Sequence, residues 1–268
     1  MWMWLCLETG TVFLLEAYKV MIHNSLKDKK ILITGATSGI GYETAMQLNK
    51  EGACLILTGR NKTKLHQMQE EFHPHSFIIE YDLMNLEDIE KIFQTTKEKM
   101  GKLDGMVHCA GMAENSIVKA NDIEAIKRVM DLNAFSFVEL GKYFSMKKYS
   151  ADGAAIIAIS SIASLLNDPG MVQYSASKAA LNAIVKTMSK EFMKRKIRVN
   201  ALLPANVNTE MFTSGVDVIE NFMETALERQ PLGIIETEQI AYLIEFLLSD
   251  NAKYITGELL TVSGGMTY

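Results

Sequence analysis

Three residues near the middle of the chain have the types and spacing to move a proton: Ser161, Tyr174 and Lys178. Tyr174 and Lys178 stand four positions apart, so a helix beginning near Tyr174 places both on one face. A phenol with a pKa of about 10 transfers protons poorly at neutral pH, and lowering that value by roughly three units requires about 4 kcal/mol of preferential phenolate stabilisation. A neighbouring ammonium can supply much of it. The Tyr–Lys spacing alone is a weak signal, because such pairs also decorate solvated helix faces. Agreement with the rest of the chain decides between the two.

The elements that must position these residues can be read locally. Ala155 to Ile159 is an apolar run of strand length, and Asn167-Asp168-Pro169-Gly170 is a turn, so a strand ends near Ser160 and a helix follows the loop. Upstream, a strand over 30–34 runs into Thr34-Gly35-Ala36-Thr37-Ser38-Gly39-Ile40-Gly41. Glycines let the backbone turn tightly and approach a ligand, and the helix that opens here offers unpaired N–H groups and a positive dipole end to a pyrophosphate.

With Ser161 thirteen residues before Tyr174-Ser175-Ala176-Ser177-Lys178, and TGxxxGIG after the first strand, the chain resembles the short-chain dehydrogenase/reductase family over Lys29 to Tyr268. The end of the chain, Tyr254-Ile255-Thr256-Gly257 and Val262-Ser263-Gly264-Gly265-Met266, is similar to the 3-oxoacyl-carrier-protein reductase branch. The resemblance implies a Rossmann-type fold, and the hydropathy pattern gives the same outline. Apolar runs at 30–34, 54–58, 76–81, 103–108, 155–160, 197–203 and 258–262 alternate with helical stretches at 39–50, 61–72, 85–100, 121–147, 174–195 and 236–249. The expected fold is a single α/β domain over 29–268, a doubly wound, seven-stranded parallel sheet with helices on both faces.

The resemblance implies roles for further residues. Asn133, Ser161, Tyr174 and Lys178 correspond to the catalytic tetrad. Gly35 to Gly41 hold the cofactor phosphates, Asp82 and Leu83 the adenine, Cys109, Ala110 and Gly111 the middle of the cofactor, and Val207 and Thr209 the nicotinamide carboxamide, while Tyr174 and Lys178 also touch the cofactor. NADP (NADPH) is expected over NAD, because Gly59-Arg60 replaces the carboxylate that would bind the adenosine ribose, and an arginine fork suits a 2′-phosphate. The chain departs from the family at two places. His108-Cys109 stands where Asn-Asn is usual, and Ala205 where glycine follows the proline. A lone histidine or cysteine at a strand end reads as structural rather than as a metal or redox site.

Composition sets the outer limits. The 268 residues are 48% hydrophobic and 22% charged, with a net charge of -5 and a pI near 5.6, which leaves no footprint for nucleic acid. Cys6, Cys54 and Cys109 lack metal or disulfide spacing, so no metal is expected and reduced thiols fit a cytoplasmic protein. Residues 1–28 read as an N-terminal extension. Glu8, Thr9, Gly10 and Glu16 interrupt its apolar patches, so it should neither span a membrane nor serve as a secretory signal, and Met21 offers a second start.

The expected activity is reduction of a carbonyl to a secondary alcohol, with a 3-oxoacyl thioester of fatty acid biosynthesis as the leading substrate. A sugar, polyol, steroid or secondary-metabolite ketone is the alternative, and a non-catalytic NADP sensor a further one. Carrier-protein docking would need basic residues near the site, for which Lys147, Lys148, Lys194, Arg195 and Lys196 are candidates. Residues 210–232 suit a substrate lid. Surplus apolar residues on two long helices (Phe135, Phe137, Val138, Tyr143 and Phe144; Leu181, Ile184, Val185, Met188 and Phe192), together with the family's habit, predict a homotetramer.

Overall fold

The seven predicted apolar runs all form strands: β1 (Lys30–Thr34), β2 (Cys54–Gly59), β3 (Phe77–Glu80), β4 (Leu103–His108), β5 (Ser150–Ile159), β6 (Arg198–Pro204) and β7 (Leu259–Val262). A computed structural model describes residues 26–72, 74–216 and 222–266. Within it the strands pair in parallel, in the order β3-β2-β1-β4-β5-β6-β7. The order reverses between β1 and β4, and the carboxyl ends of those two strands open the crevice where ligands bind in such sheets. Residues 1–25, which hold most of the expected N-terminal extension together with Cys6 and Met21, lie outside the described residues.

Alternate strand residues face opposite layers, and both layers are apolar. Leu32, Ile56, Met106, Ile156 and Val199 pack with Phe93, Phe137, Phe144, Leu181 and Val185 on one side. Ile31, Ile33, Leu55, Val107 and Ile157 pack with Ala45, Leu48, Leu65, Ile240 and Ile244 on the other. Each fully buried side chain of this size contributes about 1.5–3 kcal/mol through area removed from water. The first layer is built by α3 (Glu90–Met100), α4 (Ile123–Met130), α5 (Ser136–Phe144) and α7 (Val172–Glu191), the second by α1 (Gly39–Lys50), α2 (Lys62–Glu71) and α10 (Thr237–Leu248). Shorter helices follow β5 and β6: α6 (Ala163–Leu166), α8 (Glu210–Val216) and α9 (Phe222–Arg229).

Three differences from the sequence reading have local causes. Strand β5 starts at Ser150 rather than 155, because Ser150 pairs with Leu103 before a register shift, and its polar first turn hides it from an apolar-run criterion. The helix expected over 121–147 is broken by a π turn at Asp131–Phe135, where the Ser136 hydroxyl donates to Leu132 O at 2.6 Å. The expected surplus of apolar surface is smaller than read: Phe137, Tyr143, Phe144, Leu181, Val185, Met188 and Phe192 all sit in the chain's own core. Phe135 and Val138 remain exposed, and α10 adds Tyr242, Leu243 and Phe246.

Candidate active site

A cleft of about 990 Å³ runs along the carboxyl edge of the sheet, from Thr37 and Arg60 at one end to Met211 and Arg229 at the other. Its floor is the turn between β1 and α1. Gly35 has φ +65°, and a Cβ there would lie 2.7 Å from Ala110 N; a Cβ on Gly41 would strike Gly35 O and lie 2.8 Å from Gly35 C. Neither position has room for a side chain, so β1, β4 and α1 meet backbone to backbone and the helix start stays open. Thr37, Ser38, Gly39, Ile40 and Gly41 line the cleft with Gly35. Ser38 precedes α1 without capping it through its side chain, and the first turn carries no acidic residue, so its N–H groups are left for an anion. Ala36 is the exception among the expected contacts: it is fully buried, its N–H donates to Thr58 O at 3.2 Å, and it does not line the cleft.

The end nearest β2 is set by Gly59, Arg60 and Asn61. Arg60 is exposed, lines the cleft, and forms no hydrogen bond or ion pair among the described residues. Asn61 caps α2 by accepting from Lys64 N at 3.0 Å, which fixes the backbone that carries Arg60. Asp82 and Leu83 line the same end; Asp82 Oδ1 accepts from Met84 N at 3.0 Å, which turns the chain after β3.

The central part holds the expected tetrad. Ser161 and Tyr174 line the cleft together, close enough for the Ser161 hydroxyl to favour ionisation of the phenol, and Ser161 Oγ accepts from Ala163 N at 3.1 Å. Lys178 Nζ lies 5.7 Å from the Tyr174 ring centroid and donates to Ile159 O at 2.8 Å. Asn133, wholly buried on the π turn, donates from Nδ2 to Met112 O and to Ser177 Oγ, and accepts at Oδ1 from Met112 N, all at 2.9 Å. Ser177 passes the link on by donating to Tyr174 O at 2.7 Å. Neither Met112 nor Ser177 was picked out from sequence; only the place of Ser177 beside Lys178 hinted at it. Asn133 and Lys178 converge on Gly111, where a Cβ would lie 3.3 Å from both Asn133 Oδ1 and Lys178 Nζ.

The electrostatics differ from expectation. Burial pushes the Tyr174 phenol above its ordinary value, and the Ser161 hydroxyl pulls it back in part; Lys178 is not among the causes. Burial also lowers the Lys178 ammonium to about 8, which leaves it mostly charged at neutral pH.

The family departures are accommodated at the cost of one buried polar atom, His108 Nε2, that has no hydrogen-bond partner among the described residues. His108 is fully buried, its Nδ1 lies 3.0 Å from Thr34 Oγ1, and its ring packs 5.2 Å from Phe137. Thr34 Oγ1 in turn accepts from Ala110 N at 3.3 Å, so His108 braces the segment that approaches Gly35. Cys109, Ala110 and Gly111 line the cleft, and burial raises the Cys109 thiol to about 12, which leaves it a poor nucleophile. Ala205 needs no positive φ, and its N–H donates to Val262 O at 2.9 Å. Val207 and Thr209 line the cleft opposite the glycine turn, with Thr209 Cγ2 3.2 Å from a Cβ built on Gly39.

The basic residues considered for carrier-protein docking lie elsewhere. Arg195 bonds Ser145 O, Ser150 and Asp152 at the amino end of β5, Lys148 pairs with Glu90, and none of Lys147, Lys148, Lys194, Arg195 and Lys196 lines the cleft. They occupy the opposite edge of the sheet.

Comparison with known proteins points one way. A family model described as enoyl-(acyl carrier protein) reductase matches residues 35–267. A 3-oxoacyl-[acyl-carrier-protein] reductase FabG of Thermotoga maritima is 32% identical over 248 residues, covering 90% of this chain and 98% of that protein. A glucose 1-dehydrogenase of Gluconobacter oxydans is 32% identical over 250 residues, covering 89% of this chain and 92% of that protein. The solved structure of a dehydrogenase/reductase from Sinorhizobium meliloti gives a TM-score of 0.84 at 29% identity, covering 93% of this chain and 100% of that one.

Proposed function

The chain belongs to the short-chain dehydrogenase/reductase family, and we propose that it is an NADPH-dependent reductase that turns a carbonyl into a secondary alcohol, with a 3-oxoacyl thioester as its substrate. The observation that carries this reading is that Ser161, Tyr174 and Lys178 come together inside a cleft whose floor suits a dinucleotide. When bound, the cofactor supplies the hydride. The chain's own residues then handle the oxygen. Ser161 donates a hydrogen bond to the carbonyl oxygen, and Tyr174 delivers the proton as negative charge grows there. Lys178 is the cation closest to the phenolate that remains, and Asn133 holds Gly111, Met112 and Ser177 in register around it. The phosphate end is held by the α1 amino terminus, and Arg60 takes the 2′-phosphate.

The wall around Tyr174 favours an acyl chain over a sugar. Met112, Ile162, Leu166 and Met171 line the cleft with it, and methionine adapts to flexible apolar ligands. The similarity to a glucose dehydrogenase keeps a sugar or polyol as the second reading. A cytoplasmic homotetramer belongs to the same proposal, with Cys54 and Cys109 as free thiols. NADPH consumption should be followed with acetoacetyl thioesters, acetoacetyl-carrier protein, sugars and simple ketones. Turnover of the thioesters supports the reading, turnover confined to sugars supports the second, and turnover of none points to a cofactor sensor.

A further inference from the structure

Two consecutive residues at the end of α9, Arg229 and Gln230, join the two sides of the cleft. Gln230 is completely buried, and its amide bonds are directed at backbone: Oε1 accepts from Asn206 N at 3.0 Å, and Nε2 donates to Asn206 O at 3.1 Å and Gly233 O at 2.7 Å. This fastens the end of α9 to the loop that carries Val207 and Thr209. Gly264 leaves the necessary space, since a Cβ there would lie 2.8 Å from Gln230 Cγ. Its neighbour Arg229 reaches across the cleft mouth, where Nη1 and Nη2 donate to the two Asp168 carboxylate oxygens at 2.9 and 3.3 Å.

Asp168 belongs to the turn between α6 and α7, which is itself well tied. Asp168 O accepts from Met171 N at 3.3 Å, Gly170 O accepts from Ser116 N at 2.8 Å, and Met171 O accepts from Ser175 N at 2.7 Å. Tyr174 lies one residue before Ser175, on the first turn of α7. A displacement of Asp168 therefore reaches the phenol through three short links.

We propose that Arg229 is a positioning residue: anchored by Gln230 on the cofactor side, it holds the Asp168 turn at a fixed span and so sets the Tyr174 hydroxyl against the carbonyl to be reduced. This rests on the carbonyl-reductase reading. An ion pair whose side chains are 43% and 36% exposed is weak, and a bidentate one of this kind shifts an equilibrium by about two- to five-fold.

The test compares wild type with Arg229→Ala, Asp168→Asn and the charge-swapped double variant Asp168→Arg/Arg229→Asp. Each is assayed with acetoacetyl thioester and NADPH, and amide hydrogen exchange is measured in peptides spanning residues 167–175. Each single variant should lower kcat about two- to five-fold while the NADPH Kd stays unchanged, and should speed exchange in that segment; the double variant should recover both. Raising NaCl to about 0.5 M should lower kcat of the wild type and leave the single variants unmoved. A purely structural ion pair predicts a change in Tm alone. Single variants with wild-type kcat and exchange, or a double variant that shows the two losses combined, overturn the proposal. If no protein turns over the thioester, the functional reading has failed and the exchange measurement alone decides the fate of the Arg229 contact.

Discussion

Lys178 Nζ stands 5.7 Å from the centroid of the Tyr174 ring and is held there by a 2.8 Å hydrogen bond to Ile159 O. Lys178 is buried and Tyr174 half-buried beside it, and loss of water acts on them in opposite senses: it raises the phenol and lowers the ammonium to about 8. The proton on Tyr174 is therefore firmly held until an oxyanion forms beside it. A phenol so held is protonated at neutral pH and gives up its proton only to a strongly basic oxyanion.

Replacing Tyr174 by phenylalanine keeps the ring and its packing while removing the proton. Turnover of a carbonyl substrate should fall by about 10² or more with NADPH affinity preserved. Stopped-flow hydride transfer and cofactor titration on the same variant check both halves, and near-normal turnover would remove Tyr174 from its role.

Arg60 is exposed at the cleft with no partner among the described residues, and in the proposed reading its charge discriminates between the cofactors. Arg60→Ala should weaken NADPH by about 1.5–3 kcal/mol and leave NADH nearly unchanged. Calorimetric titration with both cofactors reads this directly. Equal affinity of the wild type for NADH and NADPH refutes the preference.

His108 should make the fold sensitive to mild acid. Burial, and to a lesser degree the charge of Lys178, lowers its pKa from 6.5 to about 3. The unfolded chain thus takes up a proton as pH falls below 6.5 while the folded one resists until about 3, so stability is whole above 6.5 and is lost progressively through that window. Between pH 7 and about 4.5 the wild type should lose about 2–3 kcal/mol more than His108→Asn, whose amide can still meet Thr34 but cannot take up a proton. Urea unfolding at the two pH values decides it; parallel losses in the two proteins would show that His108 does not titrate in this way.

Gly41→Ala should damage the dinucleotide floor, because the new methyl group would overlap Gly35 O and sit 2.8 Å from Gly35 C, and backbone cannot give way as a side-chain tip can. A loss of about 2 kcal/mol or more in unfolding free energy, with NADPH binding largely abolished, is expected. A variant that binds NADPH normally would mean that this turn does not hold the cofactor.

Assembly is best probed at residues that the fold leaves outside. Phe135 is 45% and Phe246 43% exposed, whereas Phe192 at 9% is part of the core and its replacement would report core damage. Light scattering should give a mass near four times that of one chain for the wild type, and a smaller one for Phe135→Glu and Phe246→Glu. A wild-type mass of 30.0 kDa, that of a single chain, rules out the tetramer.

The sequence alone determined the strands, the helices on both faces of the sheet and the meeting of Ser161, Tyr174 and Lys178 at one place. Strands buried on both faces must be apolar throughout, and the glycines after β1 are demanded by a backbone contact, so both leave marks that survive without coordinates. Residues 155–159 were legible for this reason, while 150–154 of the same strand were not, because pairing with Leu103 rather than hydropathy holds them extended. Only the tertiary structure could decide which apolar side chains of the α4–α5 and α7 helices face the sheet, since helical periodicity does not say where the sheet lies. It alone showed that burial raises the Tyr174 phenol and that Ser161 rather than Lys178 opposes this, a balance set by depth and distance rather than by spacing along the chain. The same holds for Arg229 and Asp168: a fork and a carboxylate 61 positions apart carry no local signature, and their pairing exists because Gln230 anchors one side of the cleft and the turn before α7 forms the other.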